Sequence, residues 1–229
     1  MPDAPNRITF TRTLLPGILY KCIRVGRRED KALSGRIDPR ITRTTRAFEQ
    51  AVVELASARP VSRIGVAELA ERAGVTRATF YNRYSTPLEV LIHVLDADLD
   101  RGHRLEDERA RSGHSAAELL RLTVAEVGDH VERFRAVYSL SLGDPADSGV
   151  YAGLVRHFSE YALAFMAHCD RSVLPDANPQ VIAQFVAHGF AGAIKAWLDD
   201  PAITKDDMVD AAVAAAPAWW APGCLPRIP

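Results

Sequence analysis

The chain has 229 residues, 48% hydrophobic and 25% charged, a composition that excludes disordered, collagenous and coiled-coil fibrous chains. Its longest apolar stretches, such as Met208 to Trp220, fall short of the roughly 20 residues that cross a bilayer, so no membrane partner is expected. The net charge of −1 hides an asymmetry: residues 1–85 carry 16 Lys/Arg against 8 Asp/Glu, and residues 86–229 carry 12 against 21, so the near-neutral total does not exclude a phosphate-bearing partner for the first part.

Residues 1–37 show no helical or strand period and contain Pro2, Pro5, Pro16, Gly17, Gly26 and Gly35. They are expected to form a flexible basic arm, or to be upstream sequence brought in by a misplaced start. The run Leu14 to Ile23 is too short and interrupted for a secretory signal. Asp38-Pro39 reads as an N-cap followed by proline at the first helical position. Ile41, Thr45, Phe48, Val52 and Leu55 then recur at helical spacing toward Arg59-Pro60. A second, short helix is expected over 67–73, and Gly74 stands where a helix stops on a left-handed residue. Thr76 caps a third helix running to Tyr84. Thr86-Pro87-Leu88-Glu89 opens a fourth with a capping box, whose apolar stripe is Leu88, Leu91, Ile92, Leu95 and Leu99.

Beyond residue 100 the strong segments are again helical: Ala116 to Leu142, Val150 to Cys169, Val181 to Leu198 and Met208 to Trp220. Breakers at Gly143-Asp144-Pro145, Pro175 to Pro179 and Asp199-Asp200-Pro201 separate them. No segment alternates with period two. The expected fold is all-α: a three-helix unit over 38–85, then a helical domain over 86–229.

Residues 67–81 meet the steric requirements of a helix-turn-helix. Ala70 is small where two helices cross, Gly74 makes the turn, and Val75 and Phe80 pin the second helix on the first. Thr76, Arg77, Thr79, Tyr81, Asn82 and Arg83 remain to face outward, and they are hydrogen-bonding and cationic types suited to bases and phosphates. A glycine corner alone also occurs in helical proteins that never meet DNA. Here a helix of about 20 residues precedes it, a capped helix follows, and the surrounding half is basic.

The stretches Arg46-Ala47-Phe48 through Leu55-Ala56 and Val66 through Tyr84 make the chain similar to the TetR family of bacterial transcription regulators over about residues 38–100. The resemblance implies a three-helix DNA-binding domain, a larger helical domain that takes a small-molecule effector, and a homodimer joined through C-terminal helices. Its partners would be a near-palindromic double-stranded operator and that effector; the three widely separated cysteines fit a reducing cytoplasm. Position by position it makes Thr76, Arg77, Thr79, Tyr81, Asn82 and Arg83 groove or phosphate contacts, with Phe80 and Tyr84 packed inward. Two positions depart from the family pattern: Pro87 stands where a phosphate-holding lysine is usual, and Ile64-Gly65 where Thr or Ser is usual. Arg40, Arg43 and Arg63 are the candidate replacements, Arg43 first among them.

In the second part, Phe134, Tyr138, Phe158, Tyr161 and Phe165 lie at helical spacings, with His130, Arg135 and His157 among them. They serve as core, or else line a cavity for a small apolar or aromatic effector. Gly189, Gly192, Ala193 and Ala196 place small residues on the penultimate helix, allowing close approach across a dimer or within one subunit. Histidines at 93, 103, 114, 130, 157, 168 and 188 show no Glu-x-x-His pair or HExxH, and there is no G-x-S-x-G motif, so neither an enzyme nor a metal site nor a cofactor is expected. Cys22, Cys169 and Cys224 have no metal-ligand spacing and no disulfide framework. The rival expectation is a helical ligand-binding or interaction protein whose helix-turn-helix has degenerated.

Overall fold

A computed structural model describes residues 39–110, 115–144, 147–169 and 171–220; the arm expected over 1–37 lies outside them. The regular structure of the described residues is helical, an N-terminal cluster of helices followed by a helical bundle.

Helix α1 (Pro39–Ala56) starts at the proline that the sequence places first. It buries Phe48, Ala51, Val52 and Leu55. Pro60 cannot continue it, and the chain makes a 3-10 turn over Val61–Arg63 before α2 (Val66–Arg72). Gly74 has φ +67, and the Val75 N–H donates to Ala70 O at 2.9 Å, closing α2 through the left-handed residue. Thr76 caps α3 (Arg77–Tyr81), its Oγ1 accepting from the Thr79 N–H at 3.2 Å. The third helix is shorter than expected. The Arg83 amide turns back on Phe80 O three residues earlier at 2.9 Å, a 3-10 bond that tightens the end of the helix, while the Tyr84 amide reaches the same oxygen at 3.0 Å and the Tyr84 ring lies against Phe48 and Phe80.

Helix α4 (Pro87–Ala110) is 24 residues, about 36 Å. Thr86 Oγ1 accepts from the Glu89 N–H, and the Glu89 carboxylate reaches back to the Ser85 N–H at 2.6 Å. This helix joins the two parts, packing on α1 at one end and on the bundle at the other.

The single helix expected over 116–142 is two, α5 (Ala116–Arg133) and α6 (Arg135–Leu142), bent at Phe134 (φ −110, ψ 24). Neither glycine nor proline marks the bend. Its consequence is visible in Tyr138 and His130: on one straight helix they would stand about 12 Å apart along the axis, whereas here Tyr138 Oη is 2.8 Å from His130 Nε2. Helix α7 (Ser148–His168) packs extensively on α8 (Pro179–Asp199), and α9 (Lys205–Ala215) lies on both α5 and α8. The last segment, expected as one helix to Trp220, breaks at Pro217 and ends in a 3-10 turn, Ala218–Trp220.

Two expectations are corrected. Cys169 is disulfide-bonded, although the cysteine spacing showed no framework; its partner lies outside the described residues. And α8, at 21 residues with a window of mean hydropathy 1.3, is long and apolar enough to cross a membrane by length and composition, with 33% of that window buried. Its apolar character serves one face against α7, through Ala183, Val186, Ala187, Ala191 and Ile194. On the opposite face Val181 and Phe185 are 66% and 80% exposed.

Candidate nucleic-acid interface

The helix-turn-helix is held by an aromatic knot. Phe48 of α1 and Phe80 of α3 are fully buried with ring centroids 5.4 Å apart at 80°, and Tyr84 lies 6.0 Å from both. Edge-to-face contacts of this kind add to the area buried, so α3 sits rigidly across α1. Phe80 points inward, and the helical period then sends Arg77 and Tyr81 outward.

The structure separates the six α3-region candidates by exposure. Thr76, Arg77, Tyr81 and Asn82 are exposed, Tyr81 by 61%. Thr79 is half-buried, its hydroxyl 3.0 Å from Thr76 Oγ1. Arg83 is also half-buried, and its Nη1 donates to Thr45 Oγ1 at 2.6 Å, bracing the end of α3 against α1. Among the candidate replacements for the missing lysine, Arg43 is exposed on α1, whereas Arg63 pairs with Asp144 at 3.3 Å. Pro87 is half-buried at the start of α4.

Behind this surface α4 carries two buried carboxylates that the sequence reading passed over. Asp98 is 6% exposed. Its Oδ2 lies 2.8 Å from His130 Nδ1 and accepts from Arg133 Nη2 at 2.6 Å, and Arg101 pairs with Oδ1. Burial works against the charge, but the hydrogen bonds from His130, Arg133 and Arg101 hold the Asp98 carboxyl far below the usual range. Burial pushes His130 down, against the pull of Asp98, so the imidazole is neutral. One assignment satisfies every atom: Nδ1–H donates to Asp98, and Nε2 accepts from the Tyr138 hydroxyl. Burial and the charges of Asp96 and Asp98 keep that phenol protonated, well above its ordinary value. On another side of α4, Asp96 takes Arg156 at 2.9 Å, with His157 Nδ1 3.7 Å away. The two carboxylates thus tie α4 to α5 through Asp98 and to α7 through Asp96, and Tyr138 of α6 joins the first by way of His130.

Ring contacts divide six of the candidate effector residues into two groups. His130, Phe134 and Tyr138 cluster at the α5–α6 bend, with centroids 5.1 and 5.6 Å apart. Phe158, Tyr161 and Phe165 of α7 join Phe190 and Trp220: Phe158 is 6.0 Å from Phe190, and Phe165 stacks on Trp220 at 4.8 Å. Of the small residues on α8, Gly189, Gly192 and Ala196 are exposed, and a Cβ on either glycine would meet nothing within 4 Å. Ala193 instead packs partly on its own core. Among the described residues no group of three or more His, Cys, Asp or Glu is placed to hold a metal ion.

No family model and no curated protein sequence matches the chain, but solved structures do. A protein from Syntrophomonas wolfei assigned to the TetR-family transcriptional regulators superposes with a TM-score of 0.57 at 15% identity, covering 76% of this chain and 93% of that one. Thermus thermophilus FadR, a TetR-family transcriptional repressor in complex with lauroyl-CoA, gives 0.55 at 18%, covering 74% and 91%. NalD of Pseudomonas aeruginosa, the secondary repressor of the MexAB-OprM multidrug efflux pump, gives 0.53 at 18%, covering 76% and 94%. At these identities the likeness is one of fold.

Proposed function

We propose that the chain is a dimeric DNA-binding transcription regulator, a repressor released by a small, largely apolar ligand, with residues 38–85 reading DNA and residues 86–229 providing the effector site and the dimer. One observation carries the DNA reading. The helix-turn-helix frame is complete, with Gly74 left-handed, Thr76 capping and Phe80 fully buried, while the outer face of α3 offers Arg77, Tyr81 and Asn82 to solvent. Such a helix suits the major groove, where arginine reads guanine bidentately and asparagine reads adenine. We assign Thr76, Arg77, Tyr81 and Asn82 to the groove and adjoining phosphates and Arg43 to the backbone, with Thr79 and Arg83 holding the frame beside them.

The dimer reading is supported by the outer face of α8. Val181, Phe185, Gly189, Gly192 and Ala196 follow one another at helical spacing, apolar or small, and exposed in the single chain. A second copy would cover them and allow two helices to approach closely at the glycines. For the effector we favour the Phe158, Tyr161 and Phe165 group, since the polar atoms of His130 and Tyr138 are already joined to each other and to Asp98. The homologous fold in complex with lauroyl-CoA supports an apolar ligand class.

The test is a mobility-shift titration on a duplex selected by the full-length chain from a random-sequence pool. Arg77→Ala is expected to weaken specific binding by about 1 to 3 kcal/mol with an unchanged melting temperature. Equal loss on random duplex would reduce Arg77 to a phosphate contact, and no selected duplex at all would favour the degenerate helix-turn-helix.

A further inference from the structure

Asp147 stands at the N-cap of α7, where an aspartate ordinarily accepts an N–H from the first turn of its own helix. Here it makes no such cap bond. Its carboxylate, 2% exposed, is given to a segment 85 residues away: Oδ2 accepts from the Val61 N–H and Oδ1 from the Ser62 N–H, both at 2.8 Å, and the Ser141 hydroxyl donates to Oδ2 at 3.0 Å. Burial raises this carboxyl, but the hydrogen bonds from Ser62, Ser141 and Val61 outweigh it and hold the group ionised. The recipients are the two leading amides of the 3-10 turn between α1 and α2, and the Arg63–Asp144 pair closes over the same place. A second feature lies one turn further along α7. A Cβ on Gly149 would stand 2.4 Å from Leu88 Cδ2, and one on Gly153 would stand 2.4 Å from Ile92 Cδ1. The spacing of four on both helices seats the first turns of α4 directly on the backbone of α7.

We propose that the start of α7, Asp147 to Gly153, is the joint through which the helical domain sets the orientation of the helix-turn-helix. Asp147 holds the α1–α2 turn by its backbone, and Gly149 and Gly153 fix the approach of α4. Asp147 is a positioning residue, acting on the reading helix through the turn that precedes α2. A backbone grip transmits movement better than a side-chain pair, because the turn cannot shift without breaking two charge-assisted bonds to a buried carboxylate. The joint rests on the DNA-regulator reading above, since its output is the placement of α3.

The experiment combines amide exchange with binding in the full-length chain. In Asp147→Ala the Val61 and Ser62 amides are expected to exchange at least tenfold faster, while the Leu69 and Ala73 amides, bonded within the α2 segment, keep their rates. Affinity for a duplex selected by the wild type should fall at least tenfold. Asp147→Asn, which keeps one acceptor oxygen, should lie between. Gly153→Ala should also weaken binding, and Ile92→Val, which removes the obstructing methyl, should restore it to within twofold of Ile92→Val alone. Unchanged exchange, or faster exchange with unchanged DNA affinity, overturns the joint: the first denies the grip, the second its transmission. If the wild type selects no duplex, the regulator reading fails first and the joint falls with it.

Discussion

Tyr138→Phe isolates one bond of the network that anchors α4. The substitution keeps the buried ring and removes only the hydroxyl that donates to His130 Nε2 at 2.8 Å. Since His130 is 1% exposed, the nitrogen left behind has no water to turn to, and the cost is that of an unsatisfied buried acceptor, about 1 to 3 kcal/mol. For a chain of this size a loss of about 2 kcal/mol lowers the melting temperature by about 4 to 8 °C. The pH dependence gives a second, independent sign. His130 is depressed below its ordinary value of 6.5 in the fold, so the unfolded chain takes up a proton as pH falls through about 6.5 while the folded chain does not. Its contribution is therefore present above that pH and lost on acidification. Removing the tyrosine donor takes away a bond that favoured the neutral ring, so the variant's imidazole protonates more readily. The deficit measured by calorimetry at pH 7.5 should then narrow by pH 5.5. A variant as stable as the wild type, or a deficit that does not change with pH, would refute the assignment of a neutral His130 accepting from Tyr138.

Three other perturbations bear on the remaining parts. Gly74→Ala places a Cβ at φ +67 and should cost about 1 to 2 kcal/mol by thermal unfolding; no cost would mean that the turn relaxes. Pro87→Lys should tighten binding to any duplex and steepen the logarithmic salt dependence by about one unit, the increment for one added phosphate contact; an unchanged slope would keep α4 away from the backbone. Phe185→Glu should yield monomers by sedimentation without loss of helix content, because the side chain is 80% exposed in the single chain and only a partner would desolvate the charge; a variant that stays dimeric moves the interface elsewhere.

What could be read from the sequence follows the range of the forces involved. The frame of the helix-turn-helix was legible because each of its devices is local: Gly74 and Thr76 declare themselves within a turn, and Phe80 by its period. The bend at Phe134 was not, because it carries neither glycine nor proline and shows only in the contact that it permits between His130 and Tyr138. The α4 stripe of Leu88, Leu91, Ile92, Leu95 and Leu99 shows in its spacing, and Leu91, Leu95 and Leu99 are buried while Leu88 and Ile92 are half-buried, but no such period marks Asp96 and Asp98 beside them. Apart from Arg101 on the same helix, their partners are 32 to 61 residues distant in sequence, and nothing local signals that a helix will bury two carboxylates. His130, which the spacing allows as core or as cavity lining, lies buried between Asp98 and Tyr138, a pairing that the spacing does not show. Gly149 and Gly153 had a visible spacing of four, but only the position of Leu88 and Ile92 shows what that spacing receives.

If two copies of α3 read DNA together, as proposed, duplexes selected from a random-sequence pool by the wild-type chain and then footprinted should show it. The enriched sequence is expected to be a near-palindrome whose half-sites are separated by about one helical turn or more, both protected at the same protein concentration and both lost together in Arg77→Ala. Failure to enrich any sequence, or enrichment of a single unrepeated half-site protected by one chain, would contradict it.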